Sequence, residues 1–410
     1  MNILVINSGS SSIKYQLFDM TRQEAIGAGL VERIGESRSR IKHRVLLHGR
    51  EEMVDKEMVI ENHRRGLQAV AQLLMEPTMG VIESPAEIAA VGHRVVHGGE
   101  QFSEPTVITE QVKQVVRDLA PFAPLHNPPN LQGIEVAEEI FPGASQVAVF
   151  DTAFHQTLPP SAYRYAIPNR FYQENGIRVY GFHGTSHLYV TKRASEFMGQ
   201  AAGETNLITA HLGNGASITA VQGGRSVDTS MGFTPLPGLI MGSRCGDIDP
   251  AVVFYLGTQL GMSFSEIDQL LNKESGLLGI SGANDLRDIE DRKDRGEAAA
   301  QLALDMYTYR IKKYIGAYMA ALQRVDALVF TAGVGENSSY VRWHACAGLN
   351  HLGIVLDWER NVRGANGPVV EIQAADSPVK VLIIPTNEEL EIATQTLAVL
   401  LAGAAAPARK

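Results

Sequence analysis

Strand-like and helix-like patterns alternate along the whole chain, the layout of an α/β protein in which helices cover mixed sheets. The first apolar run, Ile3-Leu4-Val5-Ile6, leads into a Ser/Gly turn at Ser8-Gly9-Ser10-Ser11-Ser12 and then a second strand reaching Asp19. Leu207 to Val227 follows the same plan: strand, glycine-rich turn (Leu212-Gly213-Asn214-Gly215), strand, second glycine turn (Gly223-Gly224), strand. The two segments read as versions of one unit, one per domain, although strand–turn–strand is a common arrangement. Helices are marked by their starts. Asp249-Pro250 places an N-cap and a first-turn proline ahead of Ala251 to Leu260, with Gly261 as the stop. Ser263 and Glu266 have capping-box spacing. So do Thr386 and Glu389, ahead of a C-terminal helix with Leu390, Leu397 and Leu401 on one face. Thr185 or Ser186 is placed to cap a helix after His183. Leu304, Tyr307, Ile311, Ile315, Tyr318 and Leu322 recur at spacings of three and four, which predicts a long helix with one buried face.

A chain of 410 residues exceeds one ordinary core, so two domains around a cleft are expected. The boundary falls near Asp151: residues 1–150 with a returning segment 385–410 form one domain, and 151–384 the other. The net charge of −9 argues against a nucleic-acid partner, which needs basic surface to replace counterions. It does not bar an anionic substrate, because a few arginines in a cleft set the local potential. Cys245 and Cys346 are the two cysteines, too few for a disulfide framework, which points to a reducing compartment. The chain opens straight into its apolar strand with no basic segment, so no signal peptide is expected. The longest apolar stretch, near Leu397 to Ala406, falls short of the roughly 18–20 residues of a membrane span. A cytoplasmic enzyme with no membrane partner is the expectation.

Three glycine-rich segments carry candidate chemistry. Asn7-Ser8-Gly9-Ser10-Ser11-Ser12-Ile13-Lys14 offers backbone N–H groups, hydroxyls and one ammonium, the donors a polyphosphate needs. A hydrophilic hairpin turn is the plain alternative. Ser11 and Lys14 also match S-x-x-K, but the S-D-N and K-T-G partners of that pattern do not occur. His211-Leu212-Gly213-Asn214-Gly215-Ala216-Ser217 is a second cradle of the same kind. Gly333-Val334-Gly335-Glu336-Asn337, after the apolar Leu328 to Phe330, reads as a third strand-to-helix turn. Each alone is commonly a tight turn; three together, without a Walker A or G-x-G-x-x-G sequence, point to nucleotide held between two domains.

Arg94, within Gly92 to Gly99, and Arg244, within Gly242 to Asp247, sit in glycine-bounded loops. Guanidinium forks suit carboxylate and phosphoryl oxygens and stay charged when buried. A structural salt bridge of Arg244 with Asp247 or Asp249 is the bland reading. His93/His97 and His183/His187 have i,i+4 spacing, but one pair spans a strand and the other a loop. No glutamate completes a metalloprotease pattern, so zinc is set aside. His43, His48 and His63 read as surface residues. Asp151 closes the strand Gln146 to Phe150, well placed for a cleft and equally usable as an N-cap. Glu388 lies in a first helical turn, where the dipole favours a carboxylate in any case.

Together these segments resemble the acetate kinase family over essentially the whole chain. Val5 to Lys14 looks like one family signature, and ITAHLGNGASITAVQGG, from Ile208 to Gly224, looks like the other. GHRVVHGGE, APLHNP, FDTAFHQTLP, YGFHGTSH, DTSMGFTPL, NKESGLLGISG, GENSS and PTNEE extend the likeness. The resemblance implies two ribonuclease-H-like (actin-like ATPase) domains, mixed sheets flanked by helices, with the active site in the interdomain cleft. It implies reversible, Mg²⁺-dependent phosphoryl transfer from ATP to acetate, giving acetyl phosphate and ADP, with Mn²⁺ as an alternative ion and a homodimer as the assembly. Carried over residue by residue, Asn7 and Glu388 would hold the metal. Lys14, His211, Leu212, Gly213, Asn214, Gly215, Asp285, Leu286, Arg287, Gly333, Val334, Gly335, Glu336 and Asn337 would hold ATP. Arg94 would bind the acid, Arg244 and His183 would stabilise the transferring phosphoryl group, and Asp151 would be the catalytic carboxylate.

Acetate is already ionised at neutral pH, like a side-chain carboxyl of pKa about 4, so the nucleophile needs no general base. Asp151 is therefore read as an orienting group. Ser243 and Cys245 flank Arg244 where the resemblance leads one to expect Thr and then Ser or Thr. Pro237 stands where glutamate is frequent, and Ala332 where glycine is. Val96, two residues after Arg94, should wall the pocket for the acid's alkyl end; alanine tends to stand here in the similar propionate kinases, which favours acetate. The competing readings are a propionate kinase and, from another class, an actin- or chaperone-like signalling ATPase.

Overall fold

The computed structural model describes residues 1–47 and 52–405; His48 lies outside them. The chain divides into two compact units, Met1–Ala153 together with Asn387–Lys410, and Phe154–Thr386. The first holds an eight-stranded sheet: β1 (Asn2–Ser8), β2 (Ser12–Asp19), β3 (Glu24–Glu32), β4 (Ser39–Val45), β5 (Glu52–Met58), β6 (Ile88–Val95), β7 (Thr106–Val107) and β8 (Ser145–Phe150), in the order β5-β4-β3-β2-β1-β6-β8-β7. The second holds a six-stranded sheet: β9 (Asn206–Leu212), β10 (Ala216–Gln222), β11 (Arg225–Thr229), β12 (Ala327–Thr331), β13 (Val370–Glu371) and β14 (Lys380–Ile383), in the order β11-β10-β9-β12-β14-β13.

Both sheets contain the same five-strand core, β3-β2-β1-β6-β8 in one and β11-β10-β9-β12-β14 in the other. In each, two antiparallel pairings are followed by two parallel ones. Short turns can only return a strand antiparallel, and the parallel strands follow from long crossovers. The fold is thus α/β with two mixed sheets flanked by helices. Ligands of such sheets bind beyond the carboxyl ends of the parallel strands. Those ends are Ser8, Val95 and Phe150 in the first unit and Leu212, Thr331 and Ile383 in the second.

Residues 3–6 of β1 are buried on both faces, as expected of a strand inside a covered sheet. Leu4 and Ile6 pack with Leu67, Val70 and Leu74 of the helix His63–Leu74 and with Val136 and Ala137 of the helix Asn127–Ile140. Ile3 and Val5 point the other way, onto Ile392 and Ala393 of the C-terminal helix Glu388–Ala405. Each such side chain contributes about 1.5–3 kcal/mol by leaving water. Gly92 permits the close approach of that helix: a Cβ there would lie 2.5 Å from Thr396 Oγ1 and 2.9 Å from Ile392 Cγ2.

The helix Ala298–Leu322 buries all six residues of the predicted stripe. Asp249 caps the helix Pro250–Thr258, and Ser263 with Glu266 forms the capping box of the helix Phe264–Lys273. Other expectations are corrected. The C-terminal helix is capped by Asn387, whose Oδ1 accepts from the Leu390 N–H at 3.0 Å. Thr386 is engaged elsewhere, its hydroxyl with Ser186 Oγ at 2.8 Å and its N–H with Glu336 Oε1 at 3.1 Å. Leu401 is exposed; the buried face runs through Ile392, Ala393 and Thr396. Neither Thr185 nor Ser186 caps the helix Gly184–Met198, because both already lie in its first turn; His183, at φ +56°, occupies the cap position. Residues 333–337 are not a turn but belong to the helix Ala332–Asn337, and the reversal is concentrated in Ala332 at φ +63°. His43 and His63 are buried. His43 Nδ1 accepts from the Tyr15 hydroxyl at 2.7 Å, and His63 Nε2–H donates to the Gly9 carbonyl at 2.7 Å.

Candidate active site

In the first unit the ends of β1, β6 and β8 bring together Asn7, Arg94 and Asp151. Asp151 directly follows β8, and its N–H donates to the Val95 carbonyl at 2.9 Å, which fixes it beside the end of β6. The Arg94 guanidinium pairs through Nη2 with Asp151 Oδ2, and Nη1 donates to Asn7 Oδ1 at 3.4 Å. The first turn of the C-terminal helix adds Glu388 and Glu389, and Glu389 meets Lys14 Nζ at 2.5 Å. Burial works against the charged form of Arg94, but Asp151, Glu388 and Glu389 outweigh it and raise its pKa. Burial pushes Glu388 up to about 7; Arg94 and Lys14 pull it down, while Asp151 and Glu389 add to the rise. Arg94 Nε is buried and has no hydrogen-bond partner among the described residues, and of the five N–H donors of the guanidinium two are committed, to Asp151 and Asn7.

Three carboxylates against two side-chain cations leave this cluster short of positive charge. Asn7 and Glu388 offer only oxygen donors, the set a hard divalent cation such as Mg²⁺ or Mn²⁺ prefers. Among the described residues no group of three or more His, Cys, Asp or Glu forms a metal cage. The His183/His187 spacing does not make a metal site: both rings turn to the hydroxyl of Ser217 instead.

In the second unit His183, Gly215 and Arg244 converge. A Cβ on Gly215 would lie 3.5 Å from His183 Nε2 and 3.6 Å from Arg244 Nη1. His183 stacks on His211 with ring centroids 4.2 Å apart. Arg244 makes no ion pair among the described residues; Nη1 donates to the Pro235 carbonyl at 3.3 Å, and burial lowers its pKa. Asp247, the partner considered for it, instead takes Arg310 at 3.5 Å and the Tyr314 hydroxyl at 2.8 Å.

A pocket of about 730 Å³ in the same unit collects Gly213, Asn214, Asp285, Leu286, Arg287, Gly333, Val334 and Asn337 from the predicted nucleotide set. Asp285 caps the helix Leu286–Asp294 and pairs with Arg287 at 2.6 Å. The set does not act as one surface. Gly335 is buried beneath its helix, Glu336 holds the Thr386 N–H, and His211 and Leu212 close the buried strand β9. Lys14 belongs to the first unit, paired with Glu389. Val96 is buried just past β6, and its N–H donates to Asn130 Oδ1 at 3.0 Å. Asn130, Ser217 and the pocket-lining Tyr307 had no assigned chemistry in the sequence. Tyr307 was hidden in a core stripe, Ser217 lay inside a quoted motif without a charge to mark it, and Asn130 lay two residues past one.

These units match known proteins over nearly all their length. The acetokinase family model matches residues 2–394. An acetate kinase of Oleidesulfovibrio alaskensis is 53% identical over 401 residues, 98% of this chain and 100% of the relative. The chain belongs to the acetokinase family. Its class is accordingly that of a phosphotransferase with a carboxyl group as acceptor. The crystal structure of Porphyromonas gingivalis acetate kinase superposes with a TM-score of 0.92 at 46% identity, covering 97% of this chain and 99% of that one. A propionate kinase from Francisella tularensis superposes at 0.89 with 40% identity, covering 96% and 98%.

Proposed function

We propose that this acetokinase-family chain is an acetate kinase that transfers the γ-phosphoryl group of ATP reversibly to acetate, giving acetyl phosphate and ADP. The observation that carries the reading is the pair of arginines. Arg94 is anchored by Asp151 with N–H donors to spare, and Arg244 has no carboxylate partner among the described residues. Arg94 binds the acetate carboxylate, and Val96 walls its methyl group. Arg244 and His183 take the equatorial oxygens of the transferring phosphoryl group, where positioning and charge neutralisation are most of the catalysis. The pocket between Gly213-Asn214, Asp285–Arg287 and Gly333–Asn337 takes the adenosine part of the nucleotide. Asn7 and Glu388 would hold Mg²⁺, which supplies further neutralisation of phosphate charge when bound. Asp151 orients Arg94 and removes no proton, since acetate arrives ionised.

A homodimer is part of the proposal. Phe254, Tyr255, Leu260 and Phe264 are exposed, and Ile248 and Met306 open onto a groove of about 400 Å³. An apolar face of this kind marks an association surface, and light scattering on the purified chain tests it. Among the described residues no helix is long and apolar enough to cross a membrane.

The test of the activity is steady-state turnover with ATP and Mg²⁺ on acetate, propionate and butyrate, trapping acyl phosphate with hydroxylamine. The highest kcat/KM is expected on acetate. Preference for propionate would keep the class and remove Val96 as the discriminating wall. ATP hydrolysis without acyl phosphate from any acid would support the signalling-ATPase alternative.

A further inference from the structure

We propose that Thr209, His187 and Ser217 form a one-directional chain of hydrogen bonds that holds His183 as the neutral imidazole with its proton on Nε2. Ser217 Oγ lies 2.9 Å from His183 Nδ1 and 2.8 Å from His187 Nε2. On the far side of its ring, His187 Nδ1 lies 2.7 Å from Thr209 Oγ1. Ser217, His187 and Thr209 are each 0% exposed, so every proton in the chain must find an acceptor inside the protein.

Ser217 has a single hydroxyl proton and, among the described residues, no acceptor for it but these two rings, so it donates to one imidazole and accepts from the other. Two directions satisfy that condition, and Thr209 decides between them. Its hydroxyl makes no other hydrogen bond among the described residues. Were His187 protonated on Nδ1, the Thr209 hydroxyl would have to accept, and its own proton would be stranded in the core. A buried donor without an acceptor is rarer in folded proteins than an oxygen with a spare lone pair. Thr209 therefore donates to His187 Nδ1, His187 Nε2–H donates to Ser217, and Ser217 donates to His183 Nδ1. The ring of His183 is left with its N–H at Nε2. Burial, with His155 and His211 nearby, pushes the pKa of His187 well below the ordinary histidine value, in keeping with a neutral link.

Nε2 is the atom that faces Gly215 beside Arg244 Nη1. On the reading of His183 as a contact to the phosphoryl group, on which this inference rests, the chain points a hydrogen-bond donor at a phosphoryl oxygen. The opposite direction would present a lone pair to that oxygen. Ser217 is fully buried behind His183 and is a positioning residue, acting through His183 in the way a second partner fixes the tautomer of a working histidine.

The tautomer is read by ¹⁵N NMR of histidine-labelled full-length protein, with His183 assigned from the spectrum of His183→Gln. Wild type is expected to show His183 neutral at neutral pH with its proton on Nε2. In Ser217→Ala the tautomers mix, kcat falls about 10–100-fold and KM for acetate stays near wild type. Ser217→Thr, which keeps the hydroxyl, recovers most of kcat. Thr209→Val, nearly isosteric, loosens the chain at its far end and gives a smaller loss, a second test should Ser217→Ala fold poorly. A wild-type His183 that carries its proton on Nδ1, or is doubly protonated at neutral pH, overturns the proposal. So does Ser217→Ala with unchanged tautomer or unchanged kcat. If no variant or wild type makes acetyl phosphate, the kinase reading falls, and the wild-type spectrum still decides the direction of the chain.

Discussion

Gly92→Ala is expected to loosen the C-terminal helix from the first sheet, and the size of the effect follows from two distances. The new Cβ would stand 2.5 Å from Thr396 Oγ1 and 2.9 Å from Ile392 Cγ2, both inside any tolerated contact. Ile392 Cγ2 is the β-branch methyl of a buried helical residue and moves only by a disfavoured χ1 change. Thr396 is held as well, because its hydroxyl donates to the Ile392 carbonyl at 2.8 Å. The helix must therefore shift, and overpacking of this kind costs about 1–3 kcal/mol. For a unit of this size that is a fall of roughly 2–12 °C in melting temperature. Thr396→Ala removes the nearer atom, so the double variant should recover at least about 1 kcal/mol of the sum of the single losses. Arg94 lies two residues beyond Gly92 on β6, and Glu388 and Glu389 open the shifted helix, so KM for acetate should rise in Gly92→Ala and recover in the double variant. Calorimetry and steady-state kinetics on the four proteins of the cycle measure both effects. An unchanged melting temperature in Gly92→Ala, or an equal loss with and without Thr396, would refute the steric argument.

Val96→Ala should shift kcat/KM toward propionate by about 10-fold or more, since a methylene in a pocket is worth about 1–3 kcal/mol; an unchanged ratio removes Val96 from the wall. Asp151→Asn is expected to keep measurable turnover, because the nucleophile arrives ionised, and complete loss with substrate binding intact in calorimetric titration would argue for proton transfer. Asn387→Ala should cost about 1 kcal/mol and speed hydrogen exchange at the Leu390 amide, whereas Thr386→Ala should leave that amide protected. Ala332→Gly relieves a left-handed alanine and is expected to leave unfolding stability in urea unchanged or raised by up to about 1 kcal/mol.

The α/β class and the family were legible because both depend on local signals. The stripe from Leu304 to Leu322 and the caps at Asp249 and Ser263 need only neighbours within a turn or two. What was missed depends on residues far apart in the chain. Thr386 and Asn387 are both good caps, and the choice between them is made by Ser186, 200 residues upstream of Thr386, and Glu336, 50 residues upstream. His43 and His63 looked like surface residues until Tyr15, Met79 and Gly9 supplied buried partners. The hydroxyls of Thr209 and Ser217 gained meaning only when the pairing of β9 with β10 and the packing of the helix Gly184–Met198 placed both within reach of His187. Gly333–Asn337 was assigned as a turn because glycines read as breakers, and tertiary context made it a helix.

Because the first unit is completed by Asn387–Lys410, its synthesis is interrupted by all of Phe154–Thr386. At about 5–20 residues per second, the ribosome takes roughly 10–50 s to traverse that insert. Throughout that interval the face of β1 carrying Ile3 and Val5 lacks the helix residues Ile392 and Ala393 that cover it. The nascent chain thus carries an uncovered apolar sheet until its last helix emerges, a window in which chaperone occupancy, stalled translation or premature termination decides whether the protein reaches its native state.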